Sequence, residues 1–71
     1  MSVESKTIII EKRIQLSEKL GTDLYFILFF IYDGVVKYCS VDQVLYLSIN
    51  IGDEISIKRD FFGDFKIIIK K

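Results

Sequence analysis

Cys39 is the single thiol of the chain, and no histidine accompanies it anywhere in the 71 residues. A catalytic cysteine needs a neighbouring base or cation to generate its thiolate. Lys37 and Ser40 are near in sequence, but alternation along a strand places Cys39 across from no obvious base. An enzyme acting through Cys39 is therefore the weakest of three functional readings. The simpler role for this side chain is that of a small, half-buried hydrophobe. One cysteine and no histidine also cannot supply the roughly four N or S ligands of a zinc site. The remaining acids that could titrate in a cleft, Asp33, Asp53, Asp60 and Asp64, stand at turn positions, where aspartate bonds nearby backbone amides. No phosphate loop, dinucleotide fingerprint or metal-ligand spacing is present. The expectation is a protein that is not an enzyme and uses no cofactor or metal.

Binding chemistry has better candidates. The stretch "IKRDFFGDFK" brings Lys58, Arg59, Phe61, Phe62 and Lys66 close together. Basic residues interleaved with aromatics can contact phosphates and stack bases, as single-strand binders do, and Tyr25 could join them. Asp60 and Asp64 dilute that positive potential. One alternative is that Phe61 or Phe62 closes the end of the core while the charges solvate an edge strand. Yet two phenylalanines in a tight connection are hard to bury together, and aromatics exposed at a loop tip serve as contact anchors. A protein partner is thus the leading expectation, with Phe61, Phe62, Lys58, Arg59 and Tyr25 as the partner-binding candidates. A single-stranded nucleic-acid binder is the alternative.

These residues must be held by a small fold. The length allows one domain, residues 1–71. A core of this size supplies only about 3–5 kcal/mol without help from disulfides, metals or oligomerisation. Apolar burial is available, since 51% of the residues are hydrophobic, and homo-oligomerisation would add more. Ten basic residues balance ten acidic ones, which disfavours a general nucleic-acid binder needing a cationic surplus. The lone cysteine and the absence of a charged-then-apolar leader in "MSVESKTIII" point to a cytoplasmic setting. Ala, Pro, Trp and His are missing while Ile, Lys, Phe and Tyr abound, a bias of AT-rich genomes that favours a bacterial, phage or other mobile-element origin.

Branched residues and turn signals at short intervals predict strands. The first spans Thr7 to Leu16, with Ile8, Ile10, Ile14 and Leu16 on the inner face; Lys12 falls on that face, so a bulge or a rim is expected there. "SEKLGTD" follows as a loop in which Gly21 can take positive φ. The unbroken apolar run Leu24 to Tyr32 is about half of what a spanning helix requires, so no membrane is expected. It predicts a central, longest strand covered on both faces, its outward side a self-association surface. Asp33-Gly34 predicts a type I′ hairpin joining residues 23–32 to 35–40. Ser40 and Gln43 fit a capping box for a short helix with Val44, Leu45 and Leu47 on its apolar side, plugging one end of a barrel. Ile55 and Ile57, then Phe65, Ile67 and Ile69, face inward on two last strands. Residues 1–5 and the terminal Lys70-Lys71 should be loosely held.

The segment "FFIYDGVVKYCSVDQVLYLSINIGDEISI" resembles small bacterial domains of unknown function. Those have an aromatic strand, Asp-Gly, a second strand, a short segment with Tyr and Leu, then Gly-Asp and a β-branched strand. Asp33-Gly34, Tyr46 and Gly52-Asp53 carry the likeness. It implies a small barrel and no activity. The predicted order of three strands, short helix and two strands is also that of oligonucleotide-binding barrels. The expected fold is therefore all-β: a small five-stranded antiparallel barrel, OB/SH3-like, with a short helix between strands 3 and 4.

Overall fold

The computed structural model describes residues 4–17 and 23–68. Its organising element is β1 (Glu4–Ser17), which carries two different ladders along its length. The first half pairs with β4 (Glu54–Arg59), from Glu4 opposite Lys58 to Ile8 opposite Glu54. The second half pairs with β2 (Asp23–Tyr32), from Ile9 opposite Phe30 to Ser17 opposite Asp23. β3 (Val35–Val41) and β5 (Phe65–Ile68) extend the two sides, giving one antiparallel sheet of order β3-β2-β1-β4-β5. α1 (Gln43–Ser48) lies between β3 and β4 in the chain.

The changeover in β1 is a bulge between Ile9 and Glu11. A bulge adds one residue to one strand and bends it. Here the bend is pinned: the Ile9 amide donates to the Asp53 carbonyl (3.0 Å), and the Gly52 amide donates to the Ile9 carbonyl (2.8 Å). Gly52 has φ +96°, a region closed to most side chains. A bulge or a rim was expected at Lys12, with Ile8 and Ile10 facing in. The structure moves it toward the N-terminus and inverts that first face. Ile9 is fully buried, whereas Ile8 and Ile10 lie on the outside. Past the bulge the expected face is recovered: Lys12 and Ile14 share a side with Leu28 and Phe26. Lys12 sits there at low cost because its ammonium lies 4.2 Å from the centre of the Tyr46 ring.

Asp33 and Gly34 form the expected tight hairpin, with φ of 53° and 75°. Positive φ at both positions is what a type I′ turn demands. β2, however, is neither the longest nor the central strand; β1 is both. The length of β1 is hidden in the sequence by its polar stretch Glu11, Arg13 and Gln15. Nor is β2 covered on both faces: Phe26, Leu28, Phe30 and Tyr32 turn inward, while no described element lies over the opposite side. Glu4 and Ser5, expected to be loose, are paired to Lys58 and Ile57. The proposed Gly21 turn, Ser2, Ile69 and Lys70-Lys71 lie outside the described residues.

α1 is capped by Asp42, not by Ser40, which belongs to β3. The Asp42 Oδ1 accepts the Leu45 amide at 2.7 Å. An ionised carboxylate at this position satisfies an orphan amide and complements the helix dipole. The helix presents Tyr46 to the core, its ring 5.2 Å from that of Phe26. Ile49, just past the helix, is also buried, while Val44 and Leu47 face outward, contrary to the expected apolar side.

Ile9, Leu28, Phe30 and Ile57 are the fully buried centre, joined by Cys39, Tyr46, Ile49 and Ile55. The sheet curls until Phe65 of β5 reaches β2, its ring 5.3 Å from Phe30 and 4.9 Å from Tyr32. Yet no ladder joins β3 to β5 among the described residues, so the sheet is open where a closed barrel was expected. Side-chain contact rather than backbone bonding spans that seam.

Because Asp42 is the cap, Asp42→Ala should lower stability by about 1 kcal/mol, and Ser40→Ala should change it by less than about 0.5 kcal/mol. Urea titrations of the two variants check this; equal losses would return the cap to Ser40.

Candidate functional site

The sequence candidates separate on the fold. Phe61 and Phe62 top the β4–β5 connection, 97% and 85% exposed, with their rings edge to face at 5.6 Å. The connection is tightly built. Oδ1 of Asp60 accepts the amides of both Phe62 and Asp64 (2.9 Å each), the Asp60 amide donates to the Asp64 carbonyl (2.8 Å), and the Gly63 amide donates to the Asp60 carbonyl (3.1 Å). Gly63 has φ +87°. The turn's own hydrogen bonds thus hold both phenylalanines outward, and neither closes the core.

Arg59 stands opposite Phe65 in the ladder and so projects to the inner side of the curl. Its guanidinium lies over Gly63; a methyl group built there would sit 3.4 Å from Nη2. Lys58 points the other way, opposite Lys66 and Glu4 on the outer side. Tyr25 is outward on β2, opposite Gln15, at the far end from the Phe61–Phe62 loop. From Tyr25 to Tyr32, which touches Phe65, β2 advances roughly 23 Å at about 3.3 Å per residue. The structure therefore unites Arg59, Phe61 and Phe62 at one end, sets Lys58 behind them, and leaves Tyr25 apart.

Two further groupings emerge: one enlarges the outward side of β2, which the sequence marked as a self-association surface, and the other escaped the sequence reading. The first is the outer side of β2 and β3. Tyr25, Ile27, Phe29 and Ile31 alternate outward on β2, and Phe29 and Ile31 face Tyr38 and Val36 across the ladder. The Phe29 and Tyr38 rings are 5.9 Å apart. Ile8 and Ile10 continue this apolar surface beyond the bulge, lining a groove with Ile31. Tyr38 is 65% exposed, and Val36 and Ile31 are exposed as well. The border carries Arg13, 5.2 Å over the Phe29 ring, and Glu11, which pairs with that guanidinium at 3.2 Å. The alternation of an apolar strand whose second face stays bare was the signal available in the sequence. The second grouping is a cleft of about 200 Å³ at the open end of the curl, lined by Tyr32, Val35, Lys37, Arg59 and Phe65 among others. Lys37 could not be placed there before its register opposite Phe30 was known.

Cys39 is buried opposite Leu28, and burial pushes its thiol up to about 11. It is protonated at neutral pH and a poor nucleophile. Two of the four turn aspartates bond backbone amides as the sequence suggested: Asp53 accepts the Asn50 amide at 2.8 Å, and Asp60 holds the loop already described; among the described residues the side chains of Asp33 and Asp64 do not. Among the described residues no cluster of three His, Cys, Asp or Glu side chains could hold a metal, and no helix is long and apolar enough to cross a membrane.

The raised thiol pKa has a thermodynamic sign. From pH 9 to 11 the unfolded chain loses the thiol proton while the folded chain keeps it, so stability falls as pH rises. The loss should reach about 2–3 kcal/mol and then level off. Urea titrations between pH 8 and 11 should show a steeper decline for the native chain than for Cys39→Val; parallel curves would refute it. Comparison of the chain with protein-family models, curated proteins and solved structures finds no match, so its functional reading rests on this geometry.

Proposed function

We propose that the protein is a non-catalytic protein-interaction module, and that it meets its partner through the outer side of β2 and β3. The observation that supports this is the continuous apolar surface of Tyr25, Phe29, Ile31, Val36 and Tyr38, extended by Ile8 and Ile10. Contiguous exposed apolar surface of this kind belongs to contact sites rather than to a solvated sheet face. The cations beside it are paired, Arg13 to Glu11 and Lys6 to Glu54, so the surface offers no cationic surplus to a polyanion. The partner is a larger protein or a second copy of the chain; for a phage or mobile-element product, a host protein fits the composition.

The element order, the shared bulged first strand and the helix between β3 and β4 support reading the fold as an oligonucleotide-binding type of barrel, opened at β3 and β5. That likeness, together with Tyr25, Phe29 and Tyr38 on one side, is what favours the second reading, a single-stranded nucleic-acid binder. Fold alone confers neither role.

Immobilised native chain should retain a defined protein that Tyr38→Glu and Val36→Glu release, each variant keeping its stability within about 0.5 kcal/mol. If the partner is a second copy, sedimentation should show a dimer that Tyr38→Glu dissociates. Retention by both folded variants would sink the assignment. Salt-sensitive anisotropy of a labelled oligothymidine, abolished by Tyr38→Ala, would replace it with the nucleic-acid reading.

A further inference from the structure

We infer that the cleft at the open end of the curl is a carboxylate-binding site, taking an acidic side chain of a protein partner. Lys37 comes from β3, on one side of the seam, and Arg59 from β4, beyond it. Register sets both on the inner side, Lys37 opposite Phe30 and Arg59 opposite Phe65, so the curl turns them toward one cleft. Neither has an ion-pair or hydrogen-bond partner among the described residues. Tyr32 and Phe65 wall the space between them, their rings 4.9 Å apart. Two unpaired cations against aromatic walls suit an anion better than a neutral group, because a partly desolvated charge-assisted bond is stronger than one in open water.

The local charge balance selects the kind of anion. Asp33 also lines the cleft, and Asp60 and Asp64 stand in the adjoining loop. The Asp60 carboxylate is committed to two amides of its own turn. The cleft side therefore sets Lys37 and Arg59 among these acids, while Lys58 and Lys66 of the same hairpin point to the outer side. A polyphosphate strand would meet these acids along its length, whereas a single carboxylate faces only Asp33 within the cleft, against the two cations. The neighbouring Phe61 and Phe62 add an apolar shelf on the same loop. The fitting ligand is an Asp or Glu side chain flanked by an apolar one, its oxygens shared between the Arg59 fork and the Lys37 ammonium. The Arg59 guanidinium lies beside Gly63 at the mouth of this loop, next to the cleft it lines. The inference rests on the protein-contact reading but not on the β2–β3 surface.

The test is a titration of the ¹⁵N-labelled full chain with acetyl-Leu-Glu-Leu-amide, and in parallel with the Gln counterpart. The Glu peptide should give saturable shifts at the amides of Lys37, Arg59, Gly63 and Phe65, and the Gln peptide should bind about tenfold more weakly. Lys37→Gln and Arg59→Gln, both at exposed positions, should each remove the preference for Glu while leaving the rest of the spectrum in place. Equal binding of the two peptides, or no saturable shift, overturns the inference even if Tyr38→Glu still releases the partner. A ten-residue oligothymidine that shifts the same amides more tightly than the Glu peptide would overturn it together with the protein-contact reading.

Discussion

The pinned bulge between Ile9 and Glu11 is the constraint on which the rest of this fold depends. A strand with an unbroken period of two would keep one face toward one neighbour along its whole length. The extra residue lets β1 bend, so that its first half belongs with β4 and its second with β2. The bend places Ile9 at the centre of the core and brings β4 and β5 around toward β2. The two hydrogen bonds from the Gly52–Asp53 turn hold it in place, which ties the connection after α1 to the middle of the longest strand. The hydroxyl of Thr7 adds a third tie, donating to the Ile31 carbonyl at 2.7 Å.

The interior that results is small and aromatic on one side. Phe30 packs edge to face with Phe65, Tyr32 does the same, and Tyr46 brings the helix onto Phe26. Such pairs add about 0.5–1.5 kcal/mol each beyond burial, a useful share in so short a chain. They also explain how an open sheet keeps its curvature. β5 is held over β2 by rings, so its backbone need not bond to β3. The consequence for binding is that the seam stays accessible, with cations on both sides and the Phe61–Phe62 loop beside it.

Much of this was legible in the residues. Asp33-Gly34 named its own turn, because only a short list of residues tolerates positive φ twice in succession. The inward sets Ile55 with Ile57 and Phe65 with Ile67 followed from simple alternation. What could not be read was anything that depended on the pairing of distant strands. Four consecutive candidates for burial, Thr7 to Ile10, offer no internal reason to choose Ile9 over its neighbours; the Gly52–Asp53 turn, far along the chain, decides it. The helix cap was misplaced because Ser40 and Asp42 are both good caps, and the β2–β3 ladder claims Ser40 first. The binding residues were gathered by sequence proximity. Alternation then split Lys58 from Arg59, and the length of β2 parted Tyr25 from Phe61 and Phe62.

An open sheet has two bare margins, and each carries a lysine: Lys37 on β3 and Lys66 on β5. Fibrillar stacking of these margins onto copies of themselves would bring like ammonium groups within roughly 5 Å, the spacing of paired strands. Lysines on edge strands are among the devices by which sheets discourage such stacking. Lys66 also stands directly opposite Lys58, a like-charge pair that weakens the β4–β5 ladder slightly.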